Sequence, residues 1–359
     1  YNLLYSFKIL KNNKQESDQR YFKSNWNYFS RFEYSIYLRW DKKLFNMKKL
    51  LGILVLGLLI CNIGLAKPKA VKFKYQSYNV SGFGKLFSAQ YRNEQPVSMV
   101  AKLYLPKSDK PVPLVIVQHG TAQIKNIKSW YNIIIPALVD SGIGVLANDH
   151  YTGRKVKKDF AWLNFSTRLA DNIEAFNTLV KDSRIDPKKI GFTGYSYGGM
   201  EALFLAYKPF QTLLNGSFAA HLPFYPACDA VMQEDMTNAP MKIILAELDD
   251  YTPAKFCIDY AKKKNLDILI YEGAHHGFIK KKSLSFYKDT WAWANCSGGY
   301  INTDGTWFYE NQLWTGTEDE ITWAITKKCG TQGVHTGGTK KEVLRAVDDT
   351  VAFFKTHLK

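Results

Sequence analysis

The sequence predicts an α/β protein with a mostly parallel central sheet covered by helices on both faces. Three observations carry this. Short apolar, β-branched runs alternate with helical stretches from residue 67 to residue 359. The runs at 113–118 and 144–148 are apolar almost throughout, as strands buried on both faces are. No internal repeat or low-complexity linker interrupts the alternation, so it reads as one domain.

Taken in order, the first two strands are predicted at Val71–Tyr78 and Val97–Leu105, joined through a glycine turn near Gly82. Strands at Pro113–Gln118 and Gly144–Asn148 follow. Ser166–Val180 spaces its apolar residues near i, i+3 and i+4, which is one face of a helix. Lys189–Thr193 is the next strand, with a helix-prone run at Met200–Ala206. Further strands are predicted at Gly216–Leu222, Met241–Ala246 and Leu266–Tyr271, and the helix Lys341–His357 closes the chain. Residues 280–340 break the rhythm: they hold five of the nine tryptophans, two cysteines and many Gly, Thr and Asn. They read as an inserted, largely irregular or β-hairpin excursion, either a lid over the site or a decorated edge.

The start of the chain has a different character. Met47-Lys48-Lys49, an apolar run to Ile60 and the small-residue end Gly64-Leu65-Ala66 predict a signal peptide over 47–66. Its apolar run falls short of the roughly 20 residues that span a bilayer. The 46 residues before it contain no methionine and read as an upstream extension that is not part of the native protein. Export implies a periplasmic or secreted location.

Residues 67–359 are 293 in number, enough for one large domain with a core of its own. The extension and signal carry eleven Lys/Arg and four Asp/Glu, so the +16 of the whole chain becomes +9 for this domain. No basic stripe with interleaved aromatics is present, which argues against a nucleic-acid partner. No zinc spacing, phosphate loop or dinucleotide fingerprint occurs, so neither a metal nor a cofactor is expected. Cys61 falls in the signal; Cys228, Cys257, Cys296 and Cys329 are an even set, which in an exported protein predicts disulfides.

The sharpest chemical signal is Gly194-Tyr195-Ser196-Tyr197-Gly198-Gly199, directly after an apolar strand and directly before a helix. That strand–turn–helix context places a serine on a strained turn with its oxygen exposed. A serine hydroxyl needs a positioned base. His276 supplies one, after the strand ending at Tyr271, and Asp249, after the strand ending at Ala246, supplies an acid to orient it. All three lie at the carboxyl ends of strands, where open α/β sheets bind ligands. The oxyanion donors predicted are the backbone amides of Tyr197 and, from the loop His119-Gly120-Thr121, of Thr121. His119 is expected to be structural, and His150, His221, His335 and His357 to be surface or packing residues.

From about residue 97 onward the chain resembles the dienelactone-hydrolase-like branch of the α/β-hydrolase superfamily. The resemblance rests on His119-Gly120, Asp149-His150-Tyr151-Thr152-Gly153-Arg154, the elbow, Phe224-Tyr225-Pro226, Asp249-Asp250-Tyr251-Thr252-Pro253 and Gly273-Ala274-His275-His276-Gly277-Phe278. It implies the α/β-hydrolase fold and an ester-cleaving activity on a small-molecule ester or acyl substrate. It also selects His276 over His275, and Asp249 over Asp250. Two departures stand out: dienelactone hydrolases of this type use a cysteine where Ser196 stands, and they lack the 280–340 insertion. A broader ester is therefore expected as substrate, with lactones a further option. A peptidase or acyltransferase on the same three residues is the alternative within enzymes, and a non-catalytic binding protein the alternative outside them. Secreted members of the branch further imply the pairing Cys228–Cys257, and Cys296–Cys329 is expected of the two cysteines that remain. Adjacency of the two strands before Cys228 and Cys257 agrees with the first, and the second brackets the aromatic insertion.

Overall fold

The computed structural model describes residues 68–156 and 163–359. The predicted extension and signal peptide lie outside the described residues.

Eight strands form the central sheet: β1 (Val71–Ser77), β2 (Val97–Tyr104), β3 (Val112–Gln118), β4 (Gly144–Asn148), β5 (Ile185–Tyr195), β6 (Ala220–Phe224), β8 (Lys242–Ala246) and β9 (Asp267–Tyr271). Their order is β1-β2-β4-β3-β5-β6-β8-β9. The six strands from β4 to β9 run parallel, and β1 and β2 are antiparallel at one edge. Both faces are buried, and the strands show why. In β3, Leu114 and Ile116 join one apolar cluster while Val115 and Val117 join the other. In β8, Ile243 and Leu245 face one way and Ile244 and Ala246 the other. A period of two with apolar residues at every position gives a sheet that needs a helical layer on each side. Those layers include α2 (Lys128–Asp140), α3 (Phe165–Leu179), α4 (Tyr197–Phe204), α5 (Ala254–Lys264) and α7 (Lys340–Leu358), while α1 (Phe83–Phe87) is a single short turn.

Three expectations need correction. The link from β1 to β2 is α1 plus a one-turn 3₁₀ segment at Gln90–Asn93, because Phe83 and Leu86 are drawn into the core. The strand expected at 216–222 begins and ends later, at Ala220–Phe224, and carries Pro223 within it. Gly194 and Pro223 stand opposite each other where β5 and β6 pair. Third, of the two readings of the insertion the irregular one fails; it is built on an antiparallel β pair, with a meander and a helix added. β10 (His276–Ala292) pairs antiparallel with β14 (Thr331–Gly338) across several bulges. The short strands β11 (Gly299–Ile301), β12 (Trp307–Tyr309) and β13 (Gln312–Trp314) form a meander on β7 (Ala230–Val231). Helix α6 (Glu318–Cys329) completes it, opened by a capping box between Thr317 and Glu320.

Both cysteine pairings expected from sequence are present, Cys228–Cys257 and Cys296–Cys329. Among the described residues no helix is long and apolar enough to cross a membrane.

Candidate active site

Ser196 sits between β5 and α4 with φ 57° and ψ −119°, a region that a side-chain-bearing residue enters at a cost. The neighbouring glycines make this turn possible. A Cβ on Gly194 would lie 2.0 Å from the Gly198 carbonyl oxygen, and one on Gly198 would lie 2.6 Å from that of His119. No rearrangement of a flexible side chain relieves either contact, since both obstacles are backbone.

The turn aims Ser196 Oγ at His276 Nε2, 2.9 Å away. His276 Nδ1 in turn donates to Asp249 Oδ2 at 2.8 Å. Asp249 is itself fixed, because its Oδ1 accepts the amides of Tyr251 at 2.9 Å and Thr252 at 2.8 Å. Asp249 and His276 are buried, and the rings of Tyr225 and Tyr251 flank the imidazole at 4.8 and 4.7 Å. The sequence order Ser, Asp, His thus closes into one hydrogen-bonded line. Thr252 Oγ1 lies 3.1 Å from both His276 Nδ1 and Asp249 Oδ2, a contact the Asp-Asp-Tyr-Thr-Pro motif contained but sequence reading left unassigned. Asp250 turns away and binds His335 of β14, its carboxylate accepting both the amide at 2.8 Å and Nδ1 at 2.7 Å.

The loop after β3 is held from behind. Gly120 O accepts from His119 Nδ1 at 2.7 Å and from Arg168 at 3.2 Å. His119 O accepts from Arg168 at 2.8 Å, and Thr121 O from the Tyr151 hydroxyl at 3.1 Å. A planar trans peptide points its N–H opposite to its C=O. Fixing the Gly120 carbonyl toward Arg168 therefore directs the Thr121 amide the other way. Thr121 lines both cavities that open on Ser196, and the Tyr197 amide begins α4 beside it. Burial and the nearby Arg168 guanidinium push the His119 pKa well down, which keeps its ring neutral, and Nε2 accepts the His150 amide at 3.3 Å.

Arg168 belongs to a buried network that sequence reading missed. His150, expected at the surface or in simple packing, is fully buried between Asp171 (2.7 Å) and Glu201 (3.0 Å). Arg154 reaches both Asp171 oxygens at 2.7 and 2.8 Å, and Arg168 pairs with Glu201 at 2.5 Å. Burial alone would raise the Asp171 and Glu201 pKa values; Arg154 and Arg168 respectively override it and hold both below the ordinary carboxylate range. The network ties α3 and α4, and with them the elbow, to the loop carrying Thr121. His221 is also buried, and His357 lies on α7 against Phe353.

Two cavities meet at Ser196. The larger, about 440 Å³, is walled by Trp291, Trp293, Trp307 and Trp323 of the insertion together with Phe165, Tyr197 and Met200. The smaller, about 190 Å³, includes His276, Ile279, Lys280 and Tyr287. Burial lowers the Lys280 pKa. Glu318 of α6 accepts the amides of Phe165 and Ser166 and the Ser166 hydroxyl, so the insertion caps the N-terminus of α3. Its pKa is pushed up to about 7, because burial outweighs those three donors. Cys296, Glu310 and Cys329 bring ligand atoms within 4.8 Å of one another, but both sulfurs are joined in the disulfide.

Residues 99–296, over half of the chain, match the Dienelactone hydrolase family. The chain belongs to the dienelactone hydrolase family. It is accordingly a hydrolase acting on ester bonds, on the α/β-hydrolase fold. A protein of Aquifex aeolicus named "Putative carboxymethylenebutenolidase" is 28% identical over 191 residues, covering 49% of this chain and 80% of that one. The Aquifex pyrophilus protein usf is 28% identical over 200 residues, covering 50% of this chain and 84% of its own. Among solved structures, the propionate-bound esterase Est2 of Thermogutta terrifontis aligns with a TM-score of 0.41 at 14% identity, over 56% of this chain and 86% of that one.

Proposed function

We propose that this member of the dienelactone hydrolase family is an exported serine esterase that works through an acyl-enzyme on Ser196. The observation that carries this is the continuous line Ser196 Oγ–His276 Nε2 (2.9 Å) and His276 Nδ1–Asp249 Oδ2 (2.8 Å), at the junction of two cavities. Ser196 attacks the ester carbonyl as His276 accepts its proton, and the amides of Thr121 and Tyr197 take the charge that develops on the carbonyl oxygen. His276 then returns the proton to the departing alcohol, and water repeats the sequence to release the acid. Two cavities suit the two arms of an ester, and a serine in place of cysteine suits open-chain carboxylic esters, with lactones as further candidates.

Export is supported by the signal-like segment 47–66 and by the two disulfides, which persist in oxidising compartments. N-terminal sequencing of the native protein is expected to find a chain starting near Lys67; a start within 1–46 would contradict this.

Ser196→Ala is expected to abolish hydrolysis of p-nitrophenyl butyrate without changing the circular dichroism spectrum, and a fluorophosphonate to label Ser196 alone. Full activity in that variant would end the reading. Peptide anilides in the same assay distinguish a peptidase, and a lactone panel tests the cyclic substrates.

A further inference from the structure

We propose that the larger cavity binds an alkylated ammonium group, so that the preferred ester carries a cation on the arm seated there. The inference rests on Ser196 being the nucleophile of the neighbouring reaction.

Charge is distributed against the average of the chain. Residues 67–359 carry a net +9, yet the cavity is lined by the carboxylates Asp229, Glu318 and Asp319 and, among the described residues, by no Lys, Arg or His. The smaller cavity shows the reverse, with Lys280 and His276 in its wall and no carboxylate among the described residues lining it. Glu318 is held at both oxygens by the start of α3 and Asp319 is exposed, so Asp229 is the remaining buried carboxylate in the wall. Asp229 is 7% exposed. Its partners are neutral donors: the Tyr309 hydroxyl at 2.5 Å, its own amide and that of Ala230. Burial raises its pKa, and a cation seated beside it would favour the ionised form.

The remaining wall suits the same occupant. Four indoles line the space; Trp307, 6% exposed, is the one most removed from water, where a ring attracts a cation most strongly, whereas Trp291 and Trp323 are 42% and 53% exposed and Lys327 already lies 5.1 Å over the Trp323 ring. A primary ammonium would have to shed a tightly held hydration shell. An alkylated one is apolar outside and positive overall, which matches an aromatic wall with one buried carboxylate. An anionic arm would meet only repulsion there. A neutral arm would fill the space but gain no electrostatic attraction from Asp229 or the rings.

The test compares butyrylcholine with its uncharged carbon isostere, 3,3-dimethylbutyl butyrate, on the purified protein. The expected kcat/KM ratio is at least about tenfold in favour of the cation, collapsing toward one in Asp229→Asn. Equal values in the wild type overturn the proposal, and so does a preference that survives both Asp229→Asn and Trp307→Leu. Tryptophan fluorescence of Ser196→Ala, titrated with the same two esters, reads binding without turnover; the cationic ester is expected to bind about tenfold more tightly, and equal affinities overturn the site. Should the wild type hydrolyse neither ester nor p-nitrophenyl butyrate, the nucleophile assignment fails, and the titration alone decides the cation site.

Discussion

Asp249 and Asp250 are adjacent in sequence but hold different histidines. Asp249 bonds His276 from a buried position, and Asp250 bonds His335 with both side chains about 40% exposed. Asp249→Asn is therefore expected to lower kcat on the order of 10³–10⁴-fold, as removal of an orienting acid does elsewhere. Asp250→Asn should change it within about twofold, because Asp250 bonds His335 at the surface and not His276. Steady-state kinetics of the two variants, side by side, tests the assignment, and the opposite ranking reverses it. Ser196, Asp249 and His276 were legible because each follows a recognisable strand and so lies at the carboxyl end of the sheet, and the branch resemblance chose between the neighbours Asp249/Asp250 and His275/His276. Arg168, His150 and Glu201 were not, because their partners come from separate elements and a buried charge has no local signature.

At the scale of elements, the contrast lies between β3, β4 and β5 on one hand and the insertion on the other. β3, β4 and the part of β5 from Ile190 onward are apolar, buried runs, and their residues announce them. The insertion relies on three-residue strands, each too short to show a periodicity in the sequence. What secures the insertion includes a carboxylate, Glu318, docked on the N-terminus of α3. Its folded pKa of about 7 stands above the ordinary 4.5, so the folded state holds a proton that the unfolded state releases. Stability from this group is thus fully present below about pH 4.5 and is lost as pH rises through about 7, by roughly 3 kcal/mol in total. Glu318→Gln should remove that slope. Urea midpoints of the two proteins between pH 5 and 8 are expected to diverge as pH rises, with wild type the less stable at the alkaline end; parallel curves would refute it.

Over the whole molecule, the mostly parallel sheet, both layers of helix and the two disulfides follow from the alternation of elements, the branch resemblance and the even set of cysteines, whereas the burial of two neutral histidines does not. His221 is fully enclosed, with Nδ1 lacking a hydrogen-bond partner, and burial pushes its pKa down to about 4. His119 is lowered in the same direction. Between pH 6.5 and 4 the unfolded chain takes up protons that the folded chain refuses. Stability from His221 is therefore full above about pH 6.5 and falls by roughly 3 kcal/mol as pH drops to 4. His221→Leu should flatten this acid limb by up to about one proton, measured as the pH dependence of the unfolding free energy. An unchanged slope would mean that the acid response comes from other groups.

One strand, β10, begins at His276 and reaches Trp291 near its other end. The proton-handling ring and a piece of the cavity wall are consequently two stations on one lever. A displacement of Trp291 would be passed along β10 toward His276, with the bulges where β10 meets β14 as the places where the strand departs from regular pairing. Rate and selectivity then become a single mechanical variable. A graft that exchanges the aromatic wall for another should be judged by whether it keeps the imidazole in register, before any change of taste in substrate is counted.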